Sequence, residues 1–169
     1  MKEKEGAVDM KVALDALADE LEMMMEEFDK FLDLETGDVI TVSTEELALA
    51  KDAGEDKAFS EFSEWEREAV LLAGEIIEHK DRYLELPKKN ELHEYDLMAA
   101  FVKTVKNENM ARPLFDAIHG KGTFRRFKDT LLNFGIEQQW YDFRFEGMKT
   151  IARNWCEAHG VEYEEGGGE

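Results

Sequence analysis

The residues with the most chemistry to offer lie at 119–135, which read HGKGTFRRFKDTLLNFG. Glycines, a threonine and four basic side chains could together cradle a phosphate or a nucleic-acid backbone. A phosphate loop needs Gly, four residues, then Gly-Lys-Ser/Thr, placed after a strand. In GKGT, Lys121 precedes Gly122 and the segment before it reads as a helix, so spacing and context both fail. A bare helix N-terminus can hold an anion. The plainer expectation is that His119-Gly120 ends one helix and Gly122-Thr123 caps the next.

The basic residues themselves are a second candidate. Arg125, Arg126 and Lys128 point off the face that Phe124 and Phe127 bury, and Arg112, Lys121, Arg144, Lys149 and Arg153 lie in the same C-terminal module. We take Lys121, Arg125, Arg126, Lys128, Arg144, Lys149 and Arg153 as the candidate interaction surface. A basic, aromatic helical segment can resemble a helix-turn-helix DNA reader. Charge argues against that partner. Residues 1–109 hold 13 Lys/Arg and 30 Asp/Glu, 110–161 hold 8 and 6, and the last eight hold 4 acids, for a net charge of -19. A module of net +2 on a body of net -17 would bind phosphates against long-range repulsion. The basic face is then expected to meet acids, either those of this chain's N-terminal part or those of a protein partner.

Catalytic and metal-binding patterns are weak. Asp116 with His119, and Glu75 with Glu78 beside His79, have helical spacing that can ligate a metal. With 40 carboxylates in the chain such pairs arise by chance. Asp33, Glu35, Gly37 and Asp38 suggest a calcium loop, but counting from Asp33 the glycine is fifth instead of sixth and position twelve is Thr44. No HExxH, Gly-x-Ser-x-Gly or dinucleotide fingerprint occurs. Cys156, the one cysteine, sits mid-helix and reads as a buried structural thiol. No catalytic residue, metal ligand or cofactor is therefore assigned.

These side chains must be positioned by a core, and 43% hydrophobic residues suffice for one. A helix is expected over 10–29 from Val12, Leu14, Leu17, Leu21, Met24, Met25 and Phe28. A β-hairpin follows at 30–43, turning at Gly37. Thr44 is expected to cap a helix to about Lys51, and 53–63 reads as a turn. Ser63, with Glu66 in capping-box position, opens a helix over 64–80 facing the core through Trp65, Ala69, Leu72, Ala73, Ile76 and Ile77. RYLELP makes a third strand at 82–86. Asn90 then caps a helix to Val105. A helix over 109–119 carries Pro113 in its first turn. Phe124, Phe127, Leu131 and Leu132 share a face of the next helix, which Gly135 ends. The last helix, 136–158, buries Tyr141, Phe145, Met148, Ala152 and Trp155, with Trp140, Phe143 and Ile151 widening the stripe, and stops at Gly160. Val161–Tyr163 add a short extended tail.

LDLETGDVI, RYLELP, DAIHGKGTFRRFKDTL and WYDFR…IARNWCEAHGV occur in this order along residues 10–163. This combination resembles an uncharacterised bacterial protein family of unknown function. The resemblance implies an α+β bacterial cytoplasmic protein and supplies no catalytic residues.

The expected fold is α+β: about six helices, a small antiparallel sheet made from the hairpin 30–43 and strand 82–86, and a helical C-terminal module. It forms a single domain over 1–165, an acidic body over about 10–107 and a basic, aromatic module over about 108–163, with a disordered tail at 166–169. The N-terminal MKEKEGAVDMK lacks an apolar signal core and no apolar run could span a bilayer, which with the single cysteine suits the cytoplasm. Three functions stand open: a non-enzymatic protein-interaction or regulatory module, a nucleic-acid-binding regulator using Arg125, Arg126 and Lys128, and a cryptic metal-dependent hydrolase.

Overall fold

The structure is a computed structural model that describes residues 11–53 and 63–165. The turn expected between Ala53 and Ser63 and the tail expected at 166–169 lie outside the described residues. The fold is α+β. In chain order the elements are β1 (Val12–Ala13), α1 (Leu14–Glu22), β2 (Phe28–Asp33), β3 (Val39–Ser43), α2 (Thr44–Ala53), α3 (Glu64–Glu78), β4 (Tyr83–Glu85), a 3-10 turn (Lys89–Glu91), α4 (Glu94–Thr104), α5 (Glu108–Ala117), α6 (Thr123–Phe134), α7 (Glu137–His159) and β5 (Tyr163–Glu164).

The antiparallel sheet has the order β3-β2-β4, with Phe31 opposite both Ile40 and Glu85. The hairpin turns at Gly37, whose φ of 81° needs a residue free of a Cβ clash. A second, parallel pair joins the chain's two ends: Val12 opposes Tyr163 and Ala13 opposes Glu164. The extended tail expected after Gly160 thus finds its partner next to α1.

As the central strand, β2 is covered from Asp29 through Asp33. Its three buried charged residues are matched one by one. Lys30 Nζ lies 2.6 Å from Glu20, Lys88 Nζ lies 3.1 Å from Asp29, and Arg82 grips Asp33 with two bonds of 2.8 Å. Asp33 also accepts from the Glu35 backbone N–H at 2.9 Å. The acidic loop that mimics a calcium site is thereby bound to a guanidinium. Arg82's hydrogen bonds outweigh burial and hold the Asp33 carboxyl at about 2.

The core lies in three parts. One packs Leu14, Leu17, Ala18 and Leu21 of α1 against Leu32, Leu86 and the C-terminal half of α7, Met148, Ala152, Trp155 and Cys156. There Trp155 Nε1 donates to the Glu85 carbonyl at 3.1 Å, so the buried indole keeps its hydrogen bond. A second part joins α4, α5, α6 and the N-terminal part of α7 through Phe101, Phe127, Leu131 and Trp140. Its rings meet edge-on, Phe127 to Trp140 at 5.1 Å and Phe101 to Trp140 at 5.5 Å. A third, smaller part holds Phe31, Val42, Ile76 and Tyr83. α7, 23 residues and so about 34 Å long, runs through the first two parts. Where it crosses α4 its Gly147 matters: a Cβ there would stand 2.6 Å from Leu97 Cδ2.

Several expectations change in detail. The first helix ends at Glu22 instead of 29, because Phe28 enters β2 and pairs with Ser43. Met24 is buried, while Met23 and Met25 are exposed. The cap before α2 is Ser43, whose Oγ accepts from the Glu46 N–H at 2.9 Å while Glu46 accepts from Ser43 N–H at 3.2 Å. Ser63 forms the expected capping box with Glu66. α3 buries Val70, Ala73 and Ile76 and leaves Trp65 69% exposed, a rotation away from the expected face. Asn90 lies in the 3-10 turn, and α4 starts after His93, whose φ is 53°. Pro113 sits inside α5, beyond its first turn. In α6, Phe127 and Leu131 are buried, whereas Phe124 and Leu132 are 57% and 56% exposed. In α7, Trp140 takes the buried place expected of Tyr141. Gly135 and Gly160 end their helices at φ 68° as expected.

Candidate functional site

The turn between α5 and α6 is built by Arg126. Its guanidinium donates to the carbonyls of Asp116 (3.0 Å), His119 (2.9 Å) and Lys121 (3.0 Å). A cation there satisfies the carbonyls left over at the end of α5 and complements its dipole. Thr123 Oγ1 donates to the Gly120 carbonyl at 3.0 Å, and Gly122, at φ 68°, is the N-cap residue of α6 without a side-chain cap bond. The glycine-rich stretch is thus helix punctuation locked by an arginine.

The other candidate residues divide into two groups. Arg144 is only 17% exposed. It grips Glu94 by two bonds (3.0 and 2.8 Å) and lies 3.3 Å from Glu22. Lys89 reaches the same Glu94 carboxylate at 3.1 Å. Burial pushes the Glu94 carboxyl up, but the Arg144 and Lys89 bonds outweigh it and leave a net lowering. Burial dominates at Glu22 and raises it despite the nearby guanidinium. Lys149 meets Asp15 at 3.4 Å, and Arg153 meets Glu165 at 2.9 Å. These α7 cations therefore dock on acids of the same chain.

Lys121, Arg125 and Lys128 do not. All three are exposed, and none has a carboxylate within ion-pair distance among the described residues. Lys128 Nζ instead stands 5.6 Å above the Tyr141 ring. Next to it opens a cleft of about 320 Å³ between α4, α6 and α7. Met98, Phe127 and Trp140 form its buried floor, Phe124, Tyr141 and Lys128 stand at its mouth, and Glu94 with Arg144 closes it. Phe124 is exposed because the first turn of α6 borders this cleft instead of a packed neighbour. A larger depression of about 550 Å³ lies beside α5, but its cation Arg112 sits one turn from both Glu108 and Asp116, a mixed-charge lining without selectivity for one sign.

Glu94, Phe124 and Tyr141 were not singled out as site residues from the sequence. Glu94 and Arg144 are 50 positions apart and no local spacing relates them. Two exposed aromatics within a basic helical pair were the available signal, and amphipathic periodicity assigned both to the core.

His119 Nδ1 donates to the Phe115 carbonyl at 2.7 Å and its ring lies 4.3 Å from that of Phe115. His159 Nδ1 donates to the Trp155 carbonyl at 2.9 Å. Burial pushes the Cys156 thiol up to about 11, so little reactive thiolate forms at neutral pH. Among the described residues no three His, Cys, Asp or Glu side chains gather in a metal-binding group, and no helix is long and apolar enough to cross a membrane. No curated protein and no solved structure matches the chain. Residues 8–164 do match the model of an uncharacterised protein family, UPF0158, and the chain belongs to that family.

Proposed function

We propose that the protein is a non-enzymatic interaction or regulatory module of the bacterial cytoplasm, and that it contacts a protein partner through the α6–α7 face. One observation supports this reading: Phe124 and Tyr141, 57% and 41% exposed, stand with Lys128 at a cleft with an apolar floor, and the exposed Lys121 and Arg125, near Phe124 in sequence, also lack an ion-pair acid among the described residues. Exposed aromatic side chains at a pocket, and arginine, are enriched in interaction hot spots. Arg126, Arg144, Lys149 and Arg153 are already engaged by groups of this chain and are not counted among the contact groups.

The test is a photo-crosslinking residue placed at position 124 of the full chain, added to an extract of the source cells. A discrete protein adduct is expected, and it should vanish when Arg125→Glu and Lys128→Glu are combined. Absence of an adduct, or an adduct indifferent to those substitutions, would remove this reading.

A further inference from the structure

We infer that the cleft between α4, α6 and α7 receives one large apolar side chain from an acidic segment of its protein partner, whose carboxylates meet Lys121, Arg125 and Lys128. This rests on the interaction reading above and adds the chemistry of what binds.

The lining decides the anchor. Met98, Phe127 and Trp140 offer only apolar floor, and about 320 Å³ is room for one aromatic or branched aliphatic side chain. The polar groups at the closed end are already matched, since the Glu94 carboxylate is held by Arg144 and Lys89. A polar or charged group pushed past Lys128 onto the floor of Met98 and Phe127 would lose water and gain little there, so an apolar one is favoured at the floor. The exposed rings of Phe124 and Tyr141 would then close over the anchor and shield it from solvent.

Lys128 at the mouth and the charge of the surrounding segment decide the partner's sign. Residues 101–136 hold seven basic and three acidic side chains, a local net of +4 in a chain of net -19. Lys103, Lys106, Arg112, Lys121, Arg125 and Lys128 all lie there, exposed and without an ion-pair acid among the described residues. Most other cations of the described residues meet carboxylates, as Lys30, Arg82, Lys88, Lys149 and Arg153 do. Unmatched charge of one sign beside an apolar pocket complements an acidic partner and hastens its encounter. The cleft walls are helical, with backbone groups spent within the helices, so side chains must do the recognising and strand addition is excluded. A nucleic acid could also stack a base there, but the acidic remainder of the molecule opposes the phosphates that would accompany it.

Fluorescence anisotropy with the full chain at low salt tests this with four labelled probes. They are a Glu/Asp-rich peptide with one central Trp, the same peptide with Ala for Trp, its Lys-rich counterpart, and a single-stranded oligonucleotide. The acidic Trp peptide should bind at least about tenfold more tightly than the other three, a difference of about 1.4 kcal/mol. Arg125→Glu with Lys128→Glu, or Phe124→Ser alone, should weaken it about tenfold without lowering the melting temperature. In the unmodified protein, the peptide should shift the NMR signals of Trp140 and Phe127, a readout that needs no variant. Equal binding of the Ala peptide would overturn the anchor. Failure of the acidic peptide to bind would overturn the whole inference, and preference for the oligonucleotide would replace the protein partner with nucleic acid. If the adduct at position 124 persists while the peptides fail, only the partner's chemistry is wrong; if the adduct is also missing, the interaction reading falls with it.

Discussion

Lys149 and Lys128 belong to neighbouring helices of one helical segment, yet their surroundings differ. Lys149 meets Asp15 of α1 at 3.4 Å, and one turn further Arg153 meets Glu165. On α6, Lys128 faces an aromatic ring and no acid, and Arg125 and Lys121 are likewise unmatched among the described residues. The C-terminal half of α7 lies against α1, which brings carboxylates at the right register. Among the described residues the cations of the α5–α6 pair meet no such acidic neighbour, and the segment has only three acids of its own between 101 and 136. The same residue type is therefore structural clamp in one region and free surface charge in the other. The seam is Arg144, which closes the cleft while tying α7 to α4 and to the end of α1.

The sharpest way to break this comparison uses two phenylalanines of α6. Phe127 is 1% exposed and packed on Phe101 and Trp140. Phe127→Ala should cost about 3–5 kcal/mol in urea unfolding. Phe124→Ala, three positions earlier, should change stability by less than about 0.5 kcal/mol. Similar losses at both positions would mean that Phe124 is core and that the cleft does not exist as described.

Arg144 comes next. Arg144→Met leaves Glu94, which is only 12% exposed, with Lys89 alone and should cost about 2–3 kcal/mol. Adding Glu94→Leu should recover much of that, so a double-mutant cycle should show strong coupling. Arg125→Met should change stability by less than about 0.5 kcal/mol, because it has no partner to lose among the described residues.

The sheet carries a clamp of its own, and it should be acid-sensitive. The Asp33 carboxyl is depressed from 3.8 to about 2, chiefly by its Arg82 hydrogen bonds. A depressed carboxylate contributes stability above its unfolded value and loses it as pH falls through the folded one. About 1–2 kcal/mol should disappear between pH 4 and pH 2, with Arg82's partial exposure weakening the pair. Asp33→Asn should remove that part of the pH dependence, and an unchanged acid profile in the variant would show that the pair is not what titrates.

The smallest effect lies at the seam. His93 precedes α4 at φ 53° and ψ 52°, a left-handed conformation that strains a side-chain-bearing residue. His93→Gly should stabilise by about 0.5 kcal/mol, the relief of strain being partly offset by the freer unfolded chain. A loss of stability would indicate an interaction of the imidazole that the geometry does not reveal.

Much of the architecture is legible in short-range signals. Ser63 with Glu66, the hairpin glycine Gly37, and the helix-ending Gly135 and Gly160 all act within a few residues, where backbone sterics and local hydrogen bonds decide. The failure of GKGT as a phosphate loop was equally local. Long-range competition was not legible. Apolar spacing runs unbroken through Met24, Met25 and Phe28, but pairing with β3 and β4 draws the chain into a strand. α3 carries apolar residues on most sides, so periodicity alone could not choose between Trp65 and Val70; packing chose Val70.

The sequence by itself determined the α+β class, the helix stops at Gly135 and Gly160 and a C-terminal concentration of cations on an acidic chain, because composition and neighbours a few residues apart suffice for these. Only the tertiary structure decided which cations are spent. Arg144, Lys149 and Arg153 find carboxylates on other segments, Arg126 finds backbone carbonyls at the end of α5, and Lys128 is left at a cleft with an apolar floor while Lys121 and Arg125 stay exposed without an ion-pair acid among the described residues. Ion pairs and clefts depend on which distant residues come within a few ångströms, and that distance is set by packing.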